Sequence, residues 1–238
     1  MKRTRIALTS AVLFGVVPGC YDNVGTTFED TGIVRYPDGS LAADLSPFET
    51  PNLATLPPAT ATDPCPEMLV KVQGPDFATA TSVHAAACVH ADLASVWEAI
   101  QDPEVAHDAG STTAFSVIQP PMPSECDGVY ESQLQAMQLG VTIDFRLCWR
   151  LGVAAGTAED PTLVRARWQK VWGSAAIMRL EGSVEARALD DAHPDITAVF
   201  YQYHLKSASI GPSNLETINN YLDLIYSRLV TRSHGTQL

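Results

Sequence analysis

Six strand-like segments follow one another from residue 113 onward, and no helical pattern interrupts them. The clearest runs from Val141 to Leu151, where apolar and polar residues alternate as in a strand with one buried and one wet face. Consecutive strands without an intervening helix join most simply through hairpins, so the pattern predicts an antiparallel sheet. The predicted strands span residues 113–119, 129–137, 141–153, 163–172, 176–189 and 196–207.

A strand and two short helices are predicted before this run, and one long helix after it. The strand at 82–90 precedes Asp92, which is placed to cap a helix, and Pro103 marks the start of a second short helix. Ser213 and Glu216 form a capping-box pattern that opens a helix of about twenty residues. Its apolar stripe consists of Leu215, Ile218, Tyr221, Leu222, Ile225 and Leu229. Such a helix needs a sheet to lie on, so the sequence predicts an α+β fold.

The order of these elements, over residues 80–235, resembles the helix-grip fold of the START-like (SRPBCC) superfamily. The stretch from Ala91 through Trp97 to Glu104 is similar to the opening strand-to-helix signature of that superfamily. The resemblance implies a curved antiparallel sheet of seven strands wrapped around the C-terminal helix, with a cavity between them for an apolar ligand. The superfamily includes lipid-transfer domains, and also cyclases and hydratases that catalyse with a few polar side chains in the cavity.

The side chains expected to bind a ligand are apolar or aromatic and lie on the predicted sheet and the last helix. They are Phe145, Leu147, Trp149, Trp168, Met178, Leu180, Tyr201, Tyr203, Tyr221, Leu222 and Ile225. The same side chains could instead fill the space as ordinary core, because protein interiors pack at crystal-like density. Lys170 shares a predicted strand face with Trp168 and Trp172. Either that face is exposed at Lys170, or the lysine is a buried counterion for an anionic head group.

Sequence patterns typical of catalytic, metal or cofactor sites are absent. The six histidines show no His-x-x-x-His spacing and no Cys-x-x-Cys accompanies them, so we expect no metal, no cofactor and no assigned catalytic residue. Gln202 and His204 on the last strand are the best candidates for polar groups in a cavity; the alternative is that they face solvent. A net charge of −12, with no basic cluster beyond residue 5, argues against a nucleic-acid partner.

The N-terminus has the pattern of an export and lipidation signal. Three basic residues among the first five precede an apolar run at 6–17, which is too short to span a bilayer as a helix. The sequence VPGC at 17–20 resembles the bacterial lipobox, in which Cys20 is acylated after residues 1–19 are removed; the alternative is an ordinary secretory signal. We therefore expect a lipoprotein tethered to a membrane of the cell envelope. By resemblance to the sorting rule of lipoproteins in enteric bacteria, Tyr21 in place of Asp favours the outer membrane.

Residues 20–64 have the composition of a tether between lipid and domain. Positions 21–64 hold seven acidic residues, one basic residue, six prolines and seven threonines, with no sustained period of 2 or 3.6. The segment is predicted to be largely disordered; the alternative is an extension that lies on the domain. The folded domain is predicted at 65–238.

Four cysteines remain besides Cys20, and an even number in an exported protein favours two disulfides. Cys65, Cys88, Cys126 and Cys148 allow three pairings. In the topology that the resemblance implies, the strands of Cys88 and Cys148 are not neighbours, so Cys65 with Cys88 and Cys126 with Cys148 are favoured. The alternative is four free, buried thiols.

The leading functional hypothesis is a lipid-anchored domain that binds or carries a hydrophobic, lipid-like small molecule at the cell envelope without chemistry. The first alternative is an enzyme of the cyclase or hydratase type that uses polar groups in the cavity. The second is an interaction module whose sheet recognises an envelope partner.

Overall fold

The computed structural model contains one antiparallel sheet and two helices, and it describes residues 23–24, 51–76, 79–122, 126, 128–138, 141–208 and 212–238. Within these residues the elements follow the order in which they are numbered. They are β1 (Asn23–Val24), β2 (Leu69–Gln73), β3 (Thr81–Val89), α1 (Leu93–Gln101), β4 (Thr112–Ile118), β5 (Tyr130–Gln138), β6 (Val141–Gly156), β7 (Pro161–Ser174), β8 (Ile177–Asp190), β9 (His193–Ser207) and α2 (Asn214–Ser233).

Eight strands are hydrogen-bonded in the order β2-β3-β9-β8-β7-β6-β5-β4, and β1 pairs with the end of β7. Strands β4 to β9 are neighbours in chain order, as a series of hairpins predicts, and β3 joins the sheet beside β9. The predicted α+β architecture, an antiparallel sheet with a long C-terminal helix, is confirmed and is consistent with a helix-grip fold.

The predicted number of seven strands is wrong, because β2 adds an eighth. This strand has five residues and pairs with β3, from Leu69 opposite Ala87 to Gln73 opposite Val83. A short strand at the edge of the sheet depends on its neighbour for stability, and five residues hold too few periods for a pattern to stand out.

The prediction of a second short helix is also wrong, since α1 is followed by turns rather than by a helix. The backbone N–H of Val105 donates to the oxygen of Asp102, and that of His107 donates to the oxygen of Glu104. Helix growth needs a continuing series of i to i−4 bonds to offset the cost of ordering its first turn. Pro103 therefore begins a turn that ends before Thr112.

The two helices cover one face of the sheet, which we call the inner face; it carries Trp149 and Tyr203. The opposite face, with Arg150 and His204, is the outer face. The long helix α2 begins where the Ser213 hydroxyl accepts a hydrogen bond from the Glu216 N–H at 3.1 Å. It packs against α1, β2, β3 and β9 through Ile218, Leu222, Ile225, Tyr226 and Leu229. Across the described ranges, no helix is long and apolar enough to cross a membrane.

Two disulfides attach connecting segments to the sheet. One joins Cys65 to Cys88 in β3, and the other joins Cys126 to Cys148 in β6. The first holds the chain that precedes β2 against the end of β3, and the second holds the chain that precedes β5 against the middle of β6.

Candidate binding face

A row of five aromatic rings crosses the inner face from β5 to α2, and we call it the aromatic row. It consists of Tyr130, Trp149, Trp168, Tyr203 and Tyr221, with successive ring centroids 5.8, 5.0, 5.9 and 5.3 Å apart. The first three lie on adjacent strands, because the register sets Tyr130 opposite Trp149 and Trp149 opposite Trp168. Side chains directly opposite one another in an antiparallel pair lie on the same face, so the register aligns the rings.

Gly182 in β8 allows the row to continue from β7 to β9. It lies opposite both Trp168 and Tyr203, and the Trp168 ring occupies the space where a side chain at 182 would stand. Neither Gly182 nor Tyr130 was among the residues that the sequence assigned to a site. A glycine inside a strand pattern often marks a place where another group approaches the backbone closely. This signal could have identified Gly182.

Two polar atoms of the aromatic row have hydrogen-bond partners within the protein. The Trp149 indole N–H donates to the Ser132 hydroxyl at 2.8 Å, and the Tyr221 hydroxyl donates to the backbone oxygen of Ala106 at 2.7 Å. The indole Nε1 of Trp168 is buried and has no hydrogen-bond partner among the residues that the structure describes. This N–H is therefore a candidate contact for an acceptor atom of a bound molecule.

The inner face is uncharged along the row. Burial raises the pKa of Tyr130, Tyr203 and Tyr221 far above the ordinary value, so their phenols stay protonated at neutral pH. The four rings that lie on strands are buried, from 2% exposed for Trp168 to 6% for Tyr203, so a ligand would contact them from inside the domain. Neutral rings of this kind can stack with apolar rings or contact acyl chains.

Most of the ligand-binding side chains predicted from the sequence come together on this face. The residues that join Trp149, Trp168, Tyr203 and Tyr221 in one apolar cluster are Phe145, Leu147, Leu180, Tyr201, Leu222 and Ile225. Met178 does not join them: its side chain is 46% exposed, at an irregularity in the pairing of β8 with β9.

Lys170 lies on the inner side of β7, opposite Leu147, and has no exposed surface. Its ammonium donates to three backbone oxygens, those of Ile177 at 2.6 Å, Ser174 at 3.0 Å and Gly173 at 3.4 Å. Burial lowers the pKa of this lysine to about 8. These hydrogen bonds hold the turn between β7 and β8 against the end of the sheet.

Trp172 lies on the outer face, away from the aromatic row. The register shifts between the pairs Leu147–Lys170 and Arg146–Trp172, so one extra residue of β7 is accommodated there. Such a bulge reverses the alternation of side chains along the strand. The Trp172 ring instead lies under the Arg146 guanidinium, whose Cζ is 4.5 Å from the centroid of the ring.

Gln202 and His204 also lie on the outer face, where both are buried. The His204 ring nitrogen Nδ1 is 3.1 Å from an oxygen of Glu181, and the same oxygen is 3.2 Å from the Arg179 guanidinium. Gln169 donates to the other oxygen of Glu181 at 3.2 Å. His204 thus belongs to a buried polar network around Glu181, while the Gln202 side-chain oxygen accepts from the Ser183 hydroxyl at 3.5 Å. Both side chains face neither the aromatic row nor solvent.

Part of the segment expected to be a tether lies on the outer face. The Asn52 amide donates to the backbone oxygen of Tyr201 at 3.1 Å, and the Leu53 N–H donates to the His84 ring nitrogen Nδ1 at 2.9 Å. Ala54 is buried beside them. Cys20 lies outside the described residues. Within those residues, no group of three or more His, Cys, Asp or Glu side chains is arranged to hold a metal ion.

Several solved structures are similar to this chain. They include the Zhui aromatase/cyclase from Streptomyces sp. R1128, with 15% identity over 64% of this chain and 93% of that chain at a TM-score of 0.46. A START superfamily protein from Mycobacterium smegmatis has 13% identity over 65% and 97% of the two chains, with a TM-score of 0.45. Ara h 8.0201 has 8% identity over 66% of this chain and 99% of that chain, with a TM-score of 0.44. No protein-family model and no curated protein matches the chain.

Proposed function

We propose that this protein is a lipid-anchored protein of the cell envelope that binds or carries a hydrophobic small molecule against the inner face of its sheet. The observation that carries the proposal is the aromatic row, which extends over β5, β6, β7, β9 and α2 and contains no charged side chain. Aromatic side chains contribute large apolar contact area and a preferred stacking geometry, which suits a ligand that is itself flat and apolar.

The indole N–H of Trp168 favours a ligand that also carries a hydrogen-bond acceptor. The described residues provide no acceptor for the buried N–H of Trp168. A carbonyl or ether oxygen placed there would remove the cost of a buried unsatisfied donor, which is about 1–3 kcal/mol. A hydrocarbon without such an oxygen would leave that cost in place.

The subcellular localisation in this proposal rests on the N-terminal sequence. Two acyl chains on Cys20 would anchor the protein stably without a membrane-spanning segment, because each buried methylene contributes about 0.8 kcal/mol. Replacing Cys20 with Ser is expected to move the protein from the membrane pellet to the soluble envelope fraction and to abolish palmitate incorporation. If Cys20→Ser remains in the pellet and the wild type takes up no palmitate, the anchoring proposal is wrong.

The binding proposal is tested by titration with a fluorescent fatty-acid analogue and a fluorescent sterol analogue, together with native mass spectrometry of protein purified from its own host. Trp168→Phe keeps an aromatic ring but removes the indole N–H, and we expect it to weaken binding of an acceptor-bearing probe about fivefold, the equivalent of one hydrogen bond. Trp172→Phe is the matched control, since Trp172 lies on the outer face beside Arg146.

Three results would count against the binding function. The first is a wild type that binds neither probe and carries no small molecule in the mass spectrum. The second is equal loss of binding in Trp168→Phe and Trp172→Phe, which would show that the probe does not sit on the aromatic row. The third is binding by protein that has been unfolded in denaturant, which would identify non-specific association.

A further inference from the structure

One end of the sheet carries exposed apolar side chains, and we call it the turn end. It is formed by the last residues of β5 and β7 and the first residues of β6 and β8, which meet because neighbouring strands are antiparallel. Met137, next to last in β5, is 63% exposed, and Met178, second in β8, is 46% exposed. Near them, half-buried Trp172 stacks with the guanidinium of Arg146. The turn end therefore combines two exposed apolar side chains with an aromatic ring and a cation.

The chain that leads to Cys20 also ends there. Strand β1 pairs with the end of β7, with Asn23 opposite Ser174 and Val24 opposite Gly173. Asn23 follows Cys20 by only three positions, and three extended residues span at most about 10 Å. An acyl group on Cys20 would thus lie close to the turn end, and far from the opposite end of the sheet.

We propose that the turn end is the surface on which the domain rests against the lipid bilayer that anchors it; this rests on the lipid anchor proposed above. The pairing of β1 sets the distance between the acylated cysteine and the sheet. Met137 and Met178 supply apolar contacts at the level of the head groups, where tryptophan side chains such as Trp172 are also favoured. The Arg146 guanidinium is suited to a lipid phosphate. The domain then sits on the membrane rather than at the far end of a long tether.

The turn end is also held in a fixed shape, which a docking surface requires. Lys170 donates to the backbone oxygens of Gly173, Ser174 and Ile177, which flank the connection between β7 and β8. Three bonds from one buried ammonium restrain that connection, so Met178 projects from a defined position.

The experiment places an environment-sensitive nitrobenzoxadiazole label at single cysteines introduced into the full-length, lipidated protein. Met137→Cys and Met178→Cys report on the turn end. Met68→Cys is the matched control, because Met68 is the same residue type, is 48% exposed and immediately precedes β2 at the opposite end of the sheet. Each protein is reconstituted into phosphatidylcholine vesicles, and acylation and co-sedimentation are measured in the same samples. We expect a blue shift and a several-fold rise in emission at 137 and 178, and no change at 68.

The outcomes separate failure of docking from failure of anchoring. If the protein is acylated and sediments with vesicles but no label shifts, the domain is held away from the bilayer and the docking proposal is wrong. A shift at 68 alone, or equal shifts at all three positions, also overturns it. If the protein is not acylated and does not sediment, the lipid anchor itself fails and the docking proposal fails with it.

Discussion

Gly182→Ala is the substitution that tests the aromatic row most directly, because it adds one methyl group at the point where the row crosses β8. The new Cβ would lie 2.2 Å from Cζ2 and 2.6 Å from Cε2 of Trp168, and 2.8 Å from the backbone oxygen of Gln202. Carbon atoms in ordinary contact are about 3.5–4.0 Å apart, so the ring would have to move by about 1.5 Å.

The Trp168 ring has little room for that movement. It lies between Trp149, at 5.0 Å between centroids, and Tyr203, at 5.9 Å, and its own exposed fraction is 2%. Overpacking a core costs about 1–3 kcal/mol, while alanine in place of glycine in a strand recovers about 0.5–1 kcal/mol of backbone entropy. Because both a rigid ring and a backbone oxygen oppose the methyl group, we expect a net loss near 2 kcal/mol in the free energy of unfolding.

Urea denaturation measures this loss, and near-ultraviolet circular dichroism reports the tryptophan environment. Gly110→Ala is the control, since its nearest neighbour would be a flexible carboxylate oxygen of Asp108 at 3.3 Å, and we expect a change within about 0.5 kcal/mol. The double variant Gly182→Ala with Trp168→Leu removes the clash, so its cost should fall below the sum of the two single costs by more than about 0.5 kcal/mol.

The reasoning is refuted if Gly182→Ala unfolds at the same urea concentration as the wild type, or if the two substitutions are strictly additive. Either result would mean that the Trp168 ring does not lie across Gly182. The row would then end at β7, and the main support for binding at the inner face would be removed.

Three further predictions concern stability. Leu222→Ala removes a fully buried side chain from α2 and should lower the free energy of unfolding by about 2–5 kcal/mol in urea titrations; a change below 1 kcal/mol would show that α2 does not pack there. Replacing Cys65 and Cys88 together with Ser opens a link between residues 23 positions apart and should cost about 3 kcal/mol and admit protease to residues 52–64; equal protease resistance would contradict this. The buried ammonium of Lys170 has a folded-state pKa of about 8, below its ordinary 10.5, so the unfolded chain binds the additional proton between these values. Wild-type stability, compared with that of Lys170→Met, should therefore rise by roughly 3 kcal/mol from pH 8 to 10.5, and a flat difference would contradict the shift.

The parts of the fold that follow from local rules could be predicted from the sequence. The alternation in β6 and the Ser213 cap of α2 each depend on a few neighbouring residues, and both appear where the pattern places them. By contrast, β2 exists because β3 offers it a partner, and the turn at Pro103 ends because no further helical bonds follow. Pairing and propagation involve residues outside the local window, so the sequence pattern could not supply them.

The candidate site shows the same limit at the level of single side chains. Strict alternation places Trp168, Lys170 and Trp172 on one face, but the bulge opposite Arg146 turns Trp172 to the outer face. The position of a bulge depends on how β6 and β7 are paired, and neither strand alone reveals it. The aromatic row likewise depends on the register of four strands, although each of its rings is visible in the sequence.

The outer face shows why period-two patterns misjudge solvent exposure. The polar side of β6 is predicted to be wet, yet Arg150 is only 1% exposed, and Glu181 in β8 and His204 in β9 have no exposed surface. Charges buried in this way must be compensated, as Glu181 is by the Arg179 guanidinium at 3.2 Å. Alternation distinguishes two faces but not whether another segment covers the polar one, as residues 52–54 do here. The turn end differs from these covered regions, because Met137 and Met178 are exposed there, and the bilayer proposed above would cover them.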